Sequence, residues 1–463
     1  MKLRGLIFLQ RISRSFSLYI EWLFLVKVRV KHDFGGIMEN NNIKQLFFKY
    51  VAHNVLGMIG LSCYILADTF FIARGVGADG LTALNLAIPI YSFIHGTGLM
   101  IGMGGATRFA ISKSKTVFTQ AFYYVLIMAS ILVPIGIFLS GSLANLLGAN
   151  ADTYQMTTTY LKVILCFSPM FMLNNLVICF VRNDNNPKLA MNAMLIGSFS
   201  NIILDYVFVF PLKMGMFGAA FATGIAPIVS LLILSTHFIK KRNSFRLCKL
   251  RPHPRTYLDI SLIGVSSLVT ELSSGIVIIV FNSIILRIKG NLGVAAYGII
   301  ANIALVVISI FIGISQGVQP ILSKNYGEQN KQNVKKILKY GIVTAVTFAL
   351  VIYGFFFLFS EPVVDIFNKE HDKELADIAI KGLRIYFTSF LFAGINILCC
   401  TYFSSIDKIR NAFIISILRG FIIIIPLALI LSAMYGMVGV WLTMTLTEFI
   451  VLILTVILLK RKH

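Results

Sequence analysis

The sequence predicts an all-α integral membrane protein with twelve transmembrane helices, arranged as two parallel bundles of six. The first observation is composition, because 57% of the 463 residues are hydrophobic and only 13% are charged. A soluble chain of this length does not bury so much apolar surface around one core. The second is that apolar segments of about 20 residues or more, enough to cross a bilayer, recur along the chain. The third is that the second half repeats the first.

Twelve apolar segments define the predicted spans. Several contain a proline, which a membrane helix tolerates because packed neighbours satisfy the freed backbone groups. The spans run approximately over residues 46–73, 82–110, 118–146, 154–181, 188–211, 215–239, 258–288, 293–322, 334–360, 375–405, 409–434 and 437–459.

The distribution of Lys and Arg supports this order of spans. With the face of the amino terminus taken as the inner face, the inner loops and ends from residue 44 onward hold 24 basic residues and the outer loops hold six. A wrong number of spans would distribute the basic residues over both faces. Because they concentrate on the inner face, and basic loops lie on the cytoplasmic side, we expect both termini in the cytoplasm. The net charge of +22 is then a matter of membrane orientation, and no nucleic-acid partner is expected.

The most basic loop, residues 240–257, divides the chain into a first half, 46–239, and a second half, 258–463. GMFGAAFATGIAPIVSLLIL at 215–234 aligns with GMVGVWLTMTLTEFIVLIL at 436–454. Each half holds an even number of spans and begins on the inner face, so the repeats are parallel and related by an axis along the membrane normal. Such a duplication places a substrate path between two bundles.

Residues 1–45 form a basic extension before the first span. Within residues 1–37, seven Lys and Arg residues surround a short apolar run, which is too short to span and lacks a signal-peptide cleavage site. Two interpretations remain, a basic interfacial helix or sequence upstream of the true start. Met38 opens a natural lead into the first span, so the second interpretation is favoured.

Two acidic residues lie within apolar spans. In SFSNIILDYVFVF (198–210), Asn201 and Asp205 share one face of a helix, and Asp68 lies within LSCYILADTFFIAR (61–74). A carboxylate at this depth costs several kcal/mol, so it is retained where it faces a cavity, a partner or an ion. We predict that Asp68 and Asp205 share one cation site. The simpler alternatives are a hydrogen bond inside the bundle for Asp205 and a capping role for Asp68.

From Met38 onward the chain resembles the multidrug and toxic compound extrusion (MATE) family. The matching stretches are ILADTFFIARGVGADGLTALNLAIPI, GMGGATRFAIS, FVRNDNNPKLAMNAMLIGSFSNIILDYVFVF, GMFGAAFATGIA and GISQGVQPILSKNYGEQN. The resemblance implies an antiporter in the cell membrane that expels lipophilic, often cationic compounds against inward Na⁺ or H⁺, with no cofactor. We expect a monomer.

The resemblance also implies which residues form the cation site. Asp68 and Asp205 carry it, with Asn201, Thr223 and Tyr160 at further positions of the site. Asn201 and Thr223 offer neutral oxygens that suit Na⁺, whereas a proton needs only the acids, so the coupling ion stays open. Glu271 matches an acid that some branches carry in the seventh span. Its acidic partner in the tenth span has no counterpart here, which leaves Glu271 as a second-half cation site or a substrate counter-ion.

Other polar residues in the spans have simpler expected roles. Arg419 and Glu448, in the last two spans, are expected to pair in a structural role, and Gln316 and Gln319 to serve in helix packing.

Two alternative functions remain in view. A lipid-linked saccharide or peptidoglycan-precursor flippase has a similar architecture, but it would require Lys and Arg in its cavity to bind a pyrophosphate. An enzyme would need a catalytic constellation at membrane depth, and the isolated His53, His95 and His237 do not supply one.

Overall fold

The computed structural model of the protein describes residues 38–368 and 372–460, with side chains from residue 43 onward. The interpretation of residues 1–37 therefore lies outside the described residues. Every element within these bounds is helical, as the sequence predicted. The helices are α1 Met38–Gly75, α2 Ala78–Ser112, α3 Val117–Phe138, α4 Ser140–Leu146, α5 Tyr154–Cys166, α6 Ser168–Asn183, α7 Pro187–Val209, α8 Gly215–Ile239, α9 Pro254–Gly327, α10 Lys331–Leu358, α11 Ser360–Phe367, α12 Lys373–Tyr386, α13 Phe390–Ser405, α14 Ile409–Ile417 and α15 Ile424–Lys460, with a 3₁₀ turn at Phe387–Ser389 and a π-helical turn at Leu418–Ile422.

Some predicted spans are divided in the structure. The predicted span 118–146 is made of α3 and α4, and the span 154–181 is made of α5 and α6, which meet at an angle of 47°. Pro169 lies in the first turn of α6. A proline cannot donate to the preceding turn and its ring crowds the carbonyl there, which explains this bend.

The described residues hold nine helices long and apolar enough to cross a membrane, or ten if α5 and α6 form one bent span. Two of these segments contain a glycine at which the backbone leaves the helix, Gly290 in α9 (φ 62°) and Gly436 in α15 (φ 57°). The 74 residues of α9 would measure about 110 Å as one rod, more than three times the thickness of a bilayer core. The chain must therefore turn at Gly290, and the count of twelve spans stays a prediction.

Helices of the two halves approach each other at backbone distance. A Cβ atom on Gly104 of α2 would lie 2.1 Å from the carbonyl oxygen of Ile260, and one on Gly264 of α9 would lie 2.0 Å from that of Met100. Only glycine permits such a crossing, which is a common way for membrane helices to pack. The described residues from Leu46 onward form one compact unit, and the division into two six-helix bundles stays a prediction.

The basic loop 240–257 is fastened to the first half. The hydroxyl oxygen of Thr119 accepts a hydrogen bond from the backbone N–H of Cys248 at 2.9 Å, and the side-chain oxygen Oε1 of Gln120 accepts one from the backbone N–H of His253 at 3.0 Å. Phe245 is fully buried, with its ring centroid 4.6 Å from that of Phe118. The loop is therefore a docked strap along α3 rather than a loose tether. Its seven basic side chains are all exposed, namely Lys240, Lys241, Arg242, Arg246, Lys249, Arg251 and Arg255.

Candidate functional site

The structure places Asp68 and Asp205 together inside the first half. Helices α1 and α7 run in the same direction, since Gly57 packs against Met194 and Gly75 against Val209. Asp68 therefore lies level with the turn of α7 that carries Asp205, and the two carboxyl groups lie within electrostatic range of each other. Their side chains are buried, with 7% of Asp68 and none of Asp205 exposed, so neither carboxylate points at lipid or caps a helix end.

Each of these two carboxylates retains an oxygen without a hydrogen-bond partner. Oδ1 of Asp68 and Oδ1 of Asp205 are buried and make no hydrogen bond to the described part of the chain. An unsatisfied carboxylate oxygen in a low-dielectric interior is costly, so both atoms are sites where a proton or a cation would be stabilised.

The other three predicted residues lie around this pair. With its amide oriented so that both atoms are satisfied, Asn201 donates to Asp205 Oδ2 at 3.0 Å and accepts the backbone N–H of Thr223 at 3.3 Å. The Thr223 side chain interacts with the phenol of Tyr160, which lies within electrostatic range of Asp68 and Asp205. All three residues are buried. The five predicted residues therefore form one cluster built from α1, α5, α7 and α8, which we call the acidic cluster.

Sequence reasoning missed two tyrosines beside the acidic cluster. The hydroxyl groups of Tyr64 and Tyr91 are 2.9 Å apart, and Tyr64 lies near Asp68 and Tyr160. A signal was present, because Tyr64 precedes Asp68 by four residues and so shares its helix face. Tyr64, Tyr91 and Thr223 also line the central cavity, so they stand between this cavity and the two carboxylates.

The central cavity lies between the two halves and has a volume of about 290 Å³. That is close to the lower end of the range for sites that bind small molecules. Most of its wall is apolar or aromatic. Both halves contribute, with Met58, Phe171 and Met194 from the first and Tyr297, Phe390 and Met444 from the second.

Glu271 lines this cavity and has a basic neighbour across it. Nδ1 of His95, on α2, lies 3.5 Å from Oε2 of Glu271, on α9, and the two side chains are 15% and 24% exposed. The His95 ring stacks on Tyr91 at a centroid distance of 5.9 Å. In α13, which covers part of the predicted tenth span, Asn396 Nδ2 donates to Glu448 Oε2 at 2.8 Å, and the role of Glu271 stays a prediction.

Arg419 and Glu448 form the ion pair that the sequence predicts, but they do so in the wall of the central cavity. Arg419 Nε donates to Glu448 Oε1, and Asn396 Nδ2 donates to Glu448 Oε2 at 2.8 Å. Glu448 is fully buried, and 12% of Arg419 is exposed. Arg419 lies in the π-helical turn before Pro426, whose missing N–H frees a carbonyl in the preceding turn. Both residues also line the central cavity, and their structural role stays a prediction.

A multi-pass helical assembly with a ligand-sized cavity between its halves, and a buried acidic cluster beside that cavity, defines a membrane transporter. The MatE family model matches residues 55–207 and 266–430, more than half of the chain. The protein therefore belongs to the MATE family, as the resemblance in its sequence predicted.

Known proteins agree with this assignment. The chain is 29% identical over 420 residues to the multidrug export protein MepA of Staphylococcus saprophyticus, an alignment that covers 88% of this chain and 92% of the relative. Two solved structures share its fold at 23% identity, each over 90% of this chain and 95% of theirs. One is an outward-facing multidrug resistance MATE family transporter (TM-score 0.81), and the other is a MOP superfamily transporter from Pyrococcus furiosus (TM-score 0.82).

Proposed function

We propose that the protein is a secondary active multidrug efflux transporter, which exchanges Na⁺ or H⁺ for lipophilic, often cationic compounds. The observation that carries this proposal is the acidic cluster beside the central cavity, in which Asp68 and Asp205 each hold a buried oxygen that has no hydrogen-bond partner among the described residues. The name of the MepA relative, a multidrug export protein, supports the substrate class.

The acidic cluster supplies the driving step. Two neighbouring carboxylates in a low-dielectric site resist carrying two charges at once, and one proton or one Na⁺ relieves this repulsion. The oxygens of Asp68, Asp205, Asn201 and Thr223 would surround Na⁺, whereas a proton needs only one carboxylate. Either ion would load from the outer face and leave to the cytoplasm as the two halves rock.

The central cavity supplies the substrate site. Its aromatic and methionine side chains form a surface that adapts to varied apolar groups, and Glu271 offers a partly exposed negative charge for a cationic substrate. The Tyr64–Tyr91 hydrogen bond connects this wall to the acidic cluster. Loading of the coupling cation would act through these tyrosines to disfavour bound drug.

The flippase alternative has less support. A site for a pyrophosphate head group needs uncompensated Lys or Arg. Of the described residues in the cavity wall, only Arg419 is a Lys or Arg, and Glu448 neutralises it.

The decisive experiment measures efflux of a fluorescent organic cation from proteoliposomes, with Na⁺ and H⁺ gradients imposed separately. We expect one gradient to drive efflux in the parent protein, and Asp205→Asn to abolish it because the carboxylate that releases the cation is gone. Size-exclusion behaviour and thermal stability like those of the parent would show that the variant is folded. Full gradient-driven efflux by a folded Asp205→Asn variant would refute the proposal.

A further inference from the structure

Arg182 is a buried cation that the proposed exchange does not use. It lies in the last turn of α6, and none of its surface is exposed. Nη1 donates to Asn54 Oδ1 at 2.8 Å and to Gln316 Oε1 at 2.7 Å, and Nη2 contacts the sulfur atoms of Met103 at 3.1 Å and Cys179 at 3.4 Å. Nε has no partner within the described chain. Arg182 is one of the 24 basic residues assigned to the inner loops and ends, and that assignment is wrong for this residue, because its guanidinium is enclosed by helices.

No carboxylate neutralises Arg182 in the described part of the chain. The acid nearest in sequence, Asp184, is committed elsewhere, with His237 Nε2 at 2.9 Å and the backbone N–H of Ser244 at 2.8 Å. A buried charge held by neutral acceptors costs more than a neutral side chain of similar size would. Fold stability therefore does not explain an arginine at this position, and its charge is the property that requires an explanation.

Arg182 lies directly behind the wall of the central cavity. Gln316 and Cys179 line the cavity, and both contact the guanidinium, while Arg182 itself does not reach the cavity. The position of Arg182 along α6 shows which end of the cavity it lies behind, because α6 ends one residue later, at Asn183. This is the end of the helices that the loop charges assign to the cytoplasm.

A second layer of polar contacts between the halves lies next to Arg182. Asn183 Nδ2 donates to Gln319 Oε1 at 3.1 Å, and Gln319 Nε2 donates to Thr107 Oγ1 at 2.7 Å. Gln319 and Thr107 are almost fully buried, so the hydrogen bond between them is shielded from solvent. We call this layer, together with Arg182 and Gln316, the closed floor of the cavity. Gln316 and Gln319, expected only to pack helices, thus join the two halves.

We propose that Arg182 is an electrostatic barrier in the closed floor, which repels cations in the cavity and prevents their uncoupled leak through this end. A fixed positive charge without a counter-ion raises the potential around it, and it does so most strongly where water is excluded. Arginines exclude cations from channel pores by the same effect. This barrier rests on the proposed exchange in one respect only, since that exchange identifies the ions that Arg182 would hold back, namely the coupling cation and a cationic substrate.

The test compares Arg182→Gln with Arg182→Lys. Glutamine retains hydrogen-bonding capacity without the charge, whereas lysine retains the charge. The full chain is reconstituted in liposomes, and passive Na⁺ and H⁺ fluxes are measured without drug. We expect the glutamine variant to leak about tenfold or more faster than the parent, since removing one nearby charge changes the energy of an ion by more than the roughly 1.4 kcal/mol that tenfold represents. The lysine variant should stay near the parent rate.

The labelling rate of a native thiol distinguishes a charge barrier from a packing role of Arg182. Cys179 lies between the cavity and Arg182, so its labelling by a membrane-impermeant maleimide added only on the cytoplasmic side reports whether the floor opens. The labelling background replaces the remaining cysteines by alanine at Cys63, Cys166, Cys248, Cys399 and Cys400. We expect Arg182→Gln to leave the labelling rate of Cys179 unchanged while the leak rises. Equal leak in the glutamine and lysine variants, labelling that rises with the leak, or a glutamine variant as tight as the parent would each overturn the proposal.

The same fluxes measured in an Asp205→Asn background distinguish this inference from the proposed exchange. The barrier depends only on Arg182, so Arg182→Gln should still leak there. If Asp205→Asn retains efflux but Arg182→Gln leaks, the exchange scheme fails and the barrier stands. If the added Arg182→Gln change produces no leak in that background, the barrier fails.

Discussion

At the residue scale, the acidic cluster shows how far an apolar sequence identifies its own functional groups. Asp68, Asp205 and Asn201 were found because polar atoms deep in a bilayer are costly and rarely incidental. The His95–Glu271 contact was not found, because its residues lie in different halves and neither has a neighbour in sequence that reveals the other. Arg182 was missed for another reason. A basic residue near the end of a span counts as loop charge until its burial is known.

Loss of the Asn201 amide should change proton binding and Na⁺ binding in opposite directions. Asn201→Ala removes the hydrogen bond to Asp205 Oδ2, so the ionised carboxylate loses stabilisation and its protonated form gains relative to it. If H⁺ is the coupling ion, a bond of about 1–3 kcal/mol would lower the half-saturating H⁺ concentration by roughly 5- to 150-fold and slow maximal efflux, whereas a Na⁺ site would lose an oxygen ligand and need a higher Na⁺ concentration. Titration of efflux against Na⁺ and H⁺ measures both effects.

The matched control is Ser200→Ala, on the same helix. The Ser200 hydroxyl donates to the backbone of Gly197 in its own helix and does not contact the acidic cluster. Its titration should match the parent. An Asn201→Ala curve that coincides with the control would remove Asn201 from the site.

At the element scale, helices were predicted more accurately than their interruptions. The predicted span 215–239 coincides with α8, and 188–211 differs from α7 by one or two residues at each end. The bend between α5 and α6 and the π-helical turn at Leu418–Ile422 were not predicted. Hydrophobicity identifies a segment that crosses the bilayer, but a break inside it depends on whether the neighbouring helices can accept the freed backbone groups.

The crossing of α2 and α9 should be sensitive to a single methyl group. Gly264→Ala would place a Cβ atom 2.0 Å from the carbonyl oxygen of Met100, and backbone cannot move aside as a side chain does. We expect a loss of stability of about 1–3 kcal/mol, seen as a lower melting temperature in detergent. Gly298→Ala, also in α9, serves as the control because its Cβ would meet nothing within 4 Å. Equal melting temperatures for the two variants would contradict the close crossing.

At the scale of the whole molecule, the two halves are held together by polar contacts on one side of the central cavity. In the proposed exchange, alternating access would require these contacts to break in each cycle, because the closed floor would have to open for substrate to enter from that side. Buried polar contacts without an ion pair suit this purpose, since each contributes only about 1–3 kcal/mol and water can replace them on opening.

A covalent cross-link across the closed floor should stop transport. Thr107→Cys and Gln319→Cys place one thiol on each half, at side chains whose polar atoms are 2.7 Å apart. A short bifunctional thiol reagent is expected to abolish efflux in a background in which all six native cysteines, Cys179 included, are replaced by alanine, and a cleavable reagent should restore it on reduction. Thr388→Cys with Thr445→Cys joins two positions of the second half whose hydroxyls are 2.6 Å apart, so cross-linking there should leave efflux intact. Efflux that continues through a cross-linked floor would mean that this surface never separates.

The strap that connects the halves would determine where the backbone turns when the two halves rock as proposed. Because Phe245, Cys248 and His253 are all anchored on the first half, the strap must travel with it as a rigid part. In the proposed rocking, the backbone would turn where the strap enters α9, at Pro254, once Tyr124 releases Ser261, and a proline there permits only a narrow set of backbone rotations. That junction would therefore act as a hinge. It would restrict the direction in which the second half rotates and keep the two halves aligned through repeated cycles.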